Sequence, residues 1–203
     1  MSIALIDYGA GNLTSVKKAL AAIGADVFVP ARSEDLAGAR GVIVPGVGHF
    51  EATRTLDTDW LEALRSFVRA DRPLLGICLG MQWLFEGSDE APDLPGLDAL
   101  TGRCRRLSGG EGETKLKIPH VGWNSLVIVR PAPVVDGVAN GAQVYFTHSF
   151  AAPVTADTVA STEHGEPFAA IVQRGRVAGV QFHPEKSGDV GLRMLRNFIA
   201  SVD

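Results

Sequence analysis

The sequence has little of what defines several large protein classes. Its 203 residues include only two cysteines, Cys78 and Cys104, too few for a disulfide framework, so a reducing cytoplasm is expected. No apolar run approaches the roughly 20 residues that span a bilayer. Basic runs are missing and the formal net charge is −4, so neither nucleic acid nor a membrane is expected as a partner. No histidine or cysteine spacing is typical of a metal site, and no metal or cofactor is expected.

The first half of the chain predicts an open parallel sheet. Apolar runs at 3–6, 27–29 and 42–44 enclose a helical pattern over 13–23, an order typical of a doubly wound α/β fold. The second half has shorter strand patterns with tight turns and predicts a more antiparallel arrangement. No linker or internal repeat divides the sequence, so one domain over residues 1–203 is expected.

One stretch, residues 74–82, combines an apolar strand with a cysteine, and a helix-forming run over 81–86 follows the cysteine. Cys78 stands between Gly76 and Gly80, and this order predicts a strand, a sharp turn and a helix with the cysteine at the apex. A helix N-terminus stabilises a thiolate, which is the nucleophilic form of cysteine. The backbone N–H of Leu79 would face the same space and could stabilise an oxyanion.

Two further segments fit a nucleophile of this kind. Pro45–Gly48 follows the third strand, and its glycine-rich backbone predicts a second oxyanion donor, the N–H of Val47. His183 and Glu185 flank Pro184 at the end of a later strand, where an extended backbone would place both side chains on one side. A carboxylate so placed can orient the imidazole as a base for sulfur.

Each segment also has a purely structural interpretation. A free cysteine is usually a small buried hydrophobe, Pro45–Gly48 could be a tight connection, and His183-Pro184-Glu185 could be an ordinary strand end. We favour the functional interpretation because all three would have to coincide in one α/β domain. His148, at another strand end, is expected in the wall of the pocket, whereas His49 and His164 are expected in loops.

These three motifs together resemble the class I glutamine amidotransferases, which use a Cys-His-Glu triad. Three further stretches, 7–13, 119–124 and 186–187, resemble one subfamily, the glutaminase subunits of imidazole glycerol phosphate synthase in histidine biosynthesis. The resemblance covers most of the chain. It implies a flavodoxin-like three-layer α/β sandwich, a mostly parallel sheet with an antiparallel extension.

The resemblance also implies an activity and a set of site residues. Glutamine would be hydrolysed to glutamate and ammonia through a thioester on Cys78, with His183 and Glu185 completing the triad and Val47 and Leu79 holding the oxyanion. A separate (β/α)₈ cyclase subunit would use the ammonia to make imidazole glycerol phosphate and an aminoimidazole carboxamide ribotide. The glutamine head would be bound by Gly48, Gln82, Glu90 and Ser149. The contact with the cyclase would involve Asn12, His120, Trp123, Asn124 and Lys186.

Other functions remain open from the sequence. The same triad could serve an amidotransferase of the anthranilate, aminodeoxychorismate, purine, pyridoxal phosphate or carbamoyl phosphate pathway. A cysteine hydrolase or peptidase on the same sandwich is a further alternative. A flavodoxin-like binding or scaffold domain with an inert core cysteine is the alternative that involves no catalysis.

Overall fold

The computed structural model describes residues 2–112 and 115–202. In chain order the strands are β1 (Ile3–Leu5), β2 (Val27–Phe28), β3 (Val42–Val44), β4 (Leu74–Ile77), β5 (Gly87–Ser88), β6 (Arg103–Arg106), β7 (His120–Ser125), β8 (Val127–Ile128), β9 (Gln143–His148), β10 (Phe150–Ala151), β11 (Thr158–Glu163), β12 (Pro167–Arg174) and β13 (Val177–Val180). The α-helices are α1 (Leu13–Ala22), α2 (Thr58–Arg69), α3 (Leu79–Trp83) and α4 (Gly188–Val202). None of the helices in these ranges is long and apolar enough to cross a membrane.

Eight strands form the main sheet in the order β2-β1-β3-β4-β13-β12-β11-β8. The five strands from β2 to β13 are parallel, and β12, β11 and β8 extend the sheet in antiparallel fashion. The parallel part has the strand order of a flavodoxin-like fold, with β13 in the place of the fifth strand. The predicted α/β class and the antiparallel extension are therefore confirmed.

Helices cover both faces of the parallel strands, because the strands are apolar on both sides. Alternate residues of β1 enter two different cores, Ile3 and Leu5 on one face and Ala4 on the other. The first core is closed by α1 and α4, and the second by α2. These are the three layers of the expected sandwich.

Several predicted boundaries differ from the structure for local reasons. The helix after the cysteine begins at Leu79 and ends at Trp83, earlier than the predicted 81–86, because the sharp turn at Cys78 leads directly into it. Strand β7 was not predicted, since its sequence contains glycine, asparagine and serine. It forms because it pairs along its whole length with β9.

The carboxyl ends of the parallel strands come together through two glycines that permit close backbone contact. A Cβ on Gly80 would lie 1.8 Å from the Val44 carbonyl oxygen, and one on Gly76 would lie 2.6 Å from the Gly80 oxygen. Helix α3 thus packs directly on the end of β3, as the predicted turn requires. This contact places the residue after β4 beside the loop after β3.

We expect Gly80→Ala to destabilise the fold by at least about 3 kcal/mol, because a rigid backbone carbonyl occupies the space of the added methyl. Urea unfolding should show a much lower midpoint than wild type. Gly38→Ala is the matched control, since a Cβ there would meet nothing within 4 Å. Equal midpoints for the two variants would contradict the close contact.

Candidate active site

Cys78 occupies the apex of the turn in a strained conformation. Its φ is 53° and its ψ is −109°, a region that non-glycine residues adopt only when the surrounding structure enforces it. Its N–H donates to the Val180 carbonyl on the neighbouring strand at 2.8 Å, which anchors the turn. The side chain stands at the start of α3 and lines a cleft of about 250 Å³.

His183 and Glu185 form the expected pair, but not in extended backbone. Strand β13 ends at Val180, and Glu185 lies in a 3₁₀ turn, Pro184–Lys186. The prediction of an extended strand end was wrong here, because the chain bends at the proline. The turn still brings Glu185 Oε1 within 2.8 Å of His183 Nδ1, and each side chain is only 1% exposed.

Cys78 is the second neighbour that acts on the His183 ring, since it helps to raise the pKa of the imidazole. Among residues 2–112 and 115–202, Nε2 has no hydrogen-bond partner of ordinary geometry. Burial alone would lower the pKa of His183, but hydrogen bonding and charge from Cys78 and Glu185 outweigh burial and raise the pKa to about 9. A protonated imidazole next to a cysteine can stabilise negative charge on its sulfur, as nucleophilic attack requires.

The residues predicted to bind the amino-acid head of glutamine all line this cleft. All four of the predicted residues line it, namely Gly48, Gln82, Glu90 and Ser149. Four residues that were not assigned to substrate binding also line it: Pro119, Thr147, His148 and Phe150. The expected place of His148 in the pocket wall is confirmed. Glu90 Oε2 accepts from the N–H of Phe50 at 2.8 Å, so its carboxylate is held at the rim of the cleft.

Both predicted oxyanion donors are engaged elsewhere in this conformation. The N–H of Val47 donates to the Ala10 carbonyl at 3.3 Å, and the N–H of Leu79 donates to the Gly46 carbonyl at 3.4 Å. Both bonds are long, which makes them weak. The loop Pro45–Gly48, called the glycine loop below, must therefore reorient before these N–H groups can donate to an oxyanion.

Residues predicted for the partner contact lie near the same edge of the sheet. Trp123 is 57% exposed and packs edge-on against Tyr145 across the β7–β9 pair. The Lys186 ammonium lies 5.8 Å from the centre of the Tyr145 ring. Asn12 caps α1 by accepting from the N–H of Ser15, and α1 contacts the Pro184–Lys186 turn.

His120 and Asn124 are instead part of a hydrogen-bonded group on the inner side of β7. His120 is buried and lies opposite His148 in the strand pair, with 3.1 Å between His120 Nδ1 and His148 Nε2. Asn124 Nδ2 lies 3.3 Å from His120 Nε2. His164, expected in a loop, stacks on the His120 ring at 4.2 Å. No group of three or more potential metal ligands occurs in the described part of the chain.

Sequence comparison identifies the family. Residues 4–202 match the family described as glutamine amidotransferase class-I. The chain belongs to this family. It is 46% identical to the imidazole glycerol phosphate synthase subunit HisH of Shouchella clausii over 97% of this chain and 96% of the relative. It is 48% identical to the protein of that name from Xanthomonas euvesicatoria, with the same coverage of both chains.

Comparison with solved structures agrees on the fold. A structure described as a glutamine amidotransferase covers 100% of this chain and 99% of its own, with a TM-score of 0.77 at 20% identity. At that identity the likeness concerns the fold alone. The class I amidotransferase sandwich expected from the sequence is thus confirmed.

The raised pKa of His183 leads to a titration experiment. Since the folded-state pKa of about 9 exceeds the ordinary 6.5, stabilisation by the cation is fully present below about pH 6.5 and is lost as pH rises through 9. In Cys78→Ala, and separately in Glu185→Gln, we expect the NMR titration midpoint of His183 to fall by about 1–3 units. The His120 midpoint, lowered by burial to about 4, serves as the control. An unchanged His183 midpoint in both variants would contradict the assigned neighbours.

Proposed function

We propose that the chain is the glutaminase subunit of an imidazole glycerol phosphate synthase, acting in the cytoplasm. The observation that carries the proposal is the strained Cys78 at a helix start, beside the buried His183–Glu185 pair and a small polar cleft. The two relatives at 46% and 48% identity over nearly full length support the particular synthase.

The proposed reaction begins when the Cys78 thiolate attacks the side-chain amide carbon of glutamine. The oxyanion that forms is held by the N–H groups of Val47 and Leu79 once the glycine loop has reoriented. His183, oriented by Glu185, protonates the departing nitrogen, and ammonia leaves. His183 then takes a proton from water, which attacks the thioester and releases glutamate and the thiolate.

The cleft suits glutamine in size and polarity. About 250 Å³ is below the range of roughly 300–1,000 Å³ of sites for drug-sized ligands. Glu90 would bind the α-ammonium of the substrate, while Gly48, Gln82 and Ser149 would hold the rest of the amino-acid head. The amide carbon would then lie over the Cys78 sulfur.

The occupied oxyanion donors support a role for the partner in activation. In this conformation Val47 and Leu79 donate to carbonyls of the chain itself, so the isolated subunit should turn over slowly. Docking of the cyclase beside the glycine loop would favour the reoriented state. This arrangement limits wasteful hydrolysis when no acceptor for ammonia is present.

We expect purified chain to release little ammonia from glutamine alone and much more with a (β/α)₈ cyclase partner. Cys78→Ala should abolish both rates, because no other group replaces the thiolate, yet should still bind the partner. Cys104→Ala, which removes the other cysteine, should retain partner-stimulated release. The measurement is ammonia production in a coupled assay.

Two outcomes of this assay would change the proposal. Release that does not respond to the cyclase would keep the triad but favour another amidotransferase pathway. Release that persists in Cys78→Ala would remove Cys78 from the mechanism.

A separate partner is needed because free ammonia in neutral water is largely protonated and ceases to be a nucleophile. The cyclase would join the ammonia to a phosphorylated ribulosyl intermediate, giving imidazole glycerol phosphate and an aminoimidazole carboxamide ribotide.

The best candidate docking surface for the cyclase is the outer face of β7 with its neighbours. Val121 and Trp123, both 57% exposed, are two residues apart on this face, and Asn12 and Lys186 would lie near its margin.

We expect Trp123→Ala to weaken cyclase binding by at least tenfold, because an exposed aromatic residue on a docking face commonly contributes more than about 1.4 kcal/mol. Isothermal titration calorimetry gives the affinity. Val154→Ala is the control, since Val154 is 51% exposed but belongs to the connection between β10 and β11, outside the β7–β9 pair. Equal affinities for the two variants would exclude the proposed face.

A further inference from the structure

Gln181 contacts the nucleophile, although no pattern in the sequence indicates this contact. Its side chain is fully buried, and its Nε2 lies 3.6 Å from the Cys78 sulfur. This is an ordinary distance for an N–H···S hydrogen bond. A buried amide must be hydrogen-bonded at both ends, so the partner of its oxygen decides which end faces the sulfur.

The amide orientation of Gln181 follows from its neighbour Gln82. Gln82 Nε2 lies 2.7 Å from the Phe150 carbonyl oxygen, and because a carbonyl only accepts, the atom there must be the amide nitrogen. Gln82 Nε2 also lies 3.1 Å from Gln181 Oε1 and donates to it. Gln181 therefore accepts with its oxygen and must present its NH₂ group to Cys78.

The Phe150 carbonyl also accepts a hydrogen bond from His148 of β9, which in turn is bonded to His120 of β7. His148 Nδ1 lies 2.9 Å from this carbonyl and donates to it, so His148 Nε2 must accept from His120 Nδ1. His120 Nε2 then accepts from Asn124. Burial lowers the pKa of His148 to about 3 and that of His120 to about 4, so both rings stay neutral and the donor direction is kept at neutral pH.

We propose that Gln181 stabilises the thiolate of Cys78 by donating an amide N–H to its sulfur, with Gln82 and Phe150 fixing the direction of that bond. The inference rests on the proposed function, since it concerns the same nucleophile. A hydrogen bond to a charged acceptor is stronger than one to a neutral acceptor, so Gln181 favours the thiolate over the thiol. It also favours the thiolate as the leaving group when water opens the thioester.

Other titratable groups lie around the Cys78 sulfur, and none of them is substituted in the Gln181 variants. His183 and Tyr8 both respond to Cys78, because its charge helps to raise their pKa values. Glu185 stands behind His183, and Glu90 lines the same cleft. A change seen when a neutral residue replaces Gln181 therefore reports its own contact with the sulfur.

The test is the rate of Cys78 alkylation by iodoacetamide against pH, with mass spectrometry identifying the modified cysteine. Gln181→Glu keeps the volume and the acceptor for Gln82 but replaces the donor by a carboxylate, whose charge also disfavours the thiolate. Gln181→Leu removes both the donor to Cys78 and the acceptor for Gln82 without adding a charge. We expect the midpoint of the rate profile to move up by about one pH unit or more in each variant, the size expected for loss of a hydrogen bond to a charged group. In the cyclase complex, kcat of Gln181→Glu for glutamine should fall at least tenfold with little change in KM, because this variant keeps the acceptor for Gln82.

Gln173→Glu is the matched control, because it makes the same charge change at a site whose amide donates to the Gly175 carbonyl instead; its midpoint should equal that of wild type. Unshifted midpoints in folded Gln181→Glu and Gln181→Leu would overturn the proposal. If Gln181→Leu fails to fold, Gln181→Met, which is unbranched and neutral and also lacks the donor, decides instead. A shifted midpoint in a chain that shows no glutaminase activity would support the Gln181–sulfur contact while overturning the proposed function.

Discussion

The site depends on the direct packing of Gly80 against the carbonyl of Val44. Only a residue without a Cβ can occupy that place, and the contact brings the start of α3 onto the end of β3. Because β4 also pairs with β13 in parallel register, with Ile77 beside Val180, the chain after both strands emerges at the same edge. The Pro45–Gly48 loop, Cys78 and His183 are thus brought together by backbone contacts, whatever contacts their side chains make.

The parts of this arrangement that the sequence predicts are those with local signals. The continuous apolar runs, the helix periodicity of α1 and the glycines around Cys78 each leave a pattern within a few residues. The bond between His183 and Glu185 was also predicted, though from a wrong local geometry, because two residues separated by proline meet in either an extended strand or a 3₁₀ turn. Such short-range contacts tolerate errors in the assumed backbone.

Contacts that depend on strand register could not be predicted in the same way. His120 meets His148 only because β7 pairs with β9, and the sequence of β7 is a poor strand former. Gln181 reaches Cys78 across the β4–β13 pair, 103 positions apart in sequence. The bond of the Val47 N–H to the Ala10 carbonyl likewise joins two loops whose relative position is set by the assembled sheet.

Strand β9 connects the outer face of β7 with His183, the proposed base. The Tyr145 ring packs beside Trp123 on the exposed side, while the Tyr145 carbonyl accepts from the backbone N–H of His183 at 2.9 Å. Ser187 closes this link, since its hydroxyl accepts from the N–H of Tyr145 and donates to the carbonyl of His183. A partner that bound to Trp123 would therefore press on the strand that positions His183. Through the β7–β9 pair, the position of His183 would then depend on whether a partner is bound at Trp123.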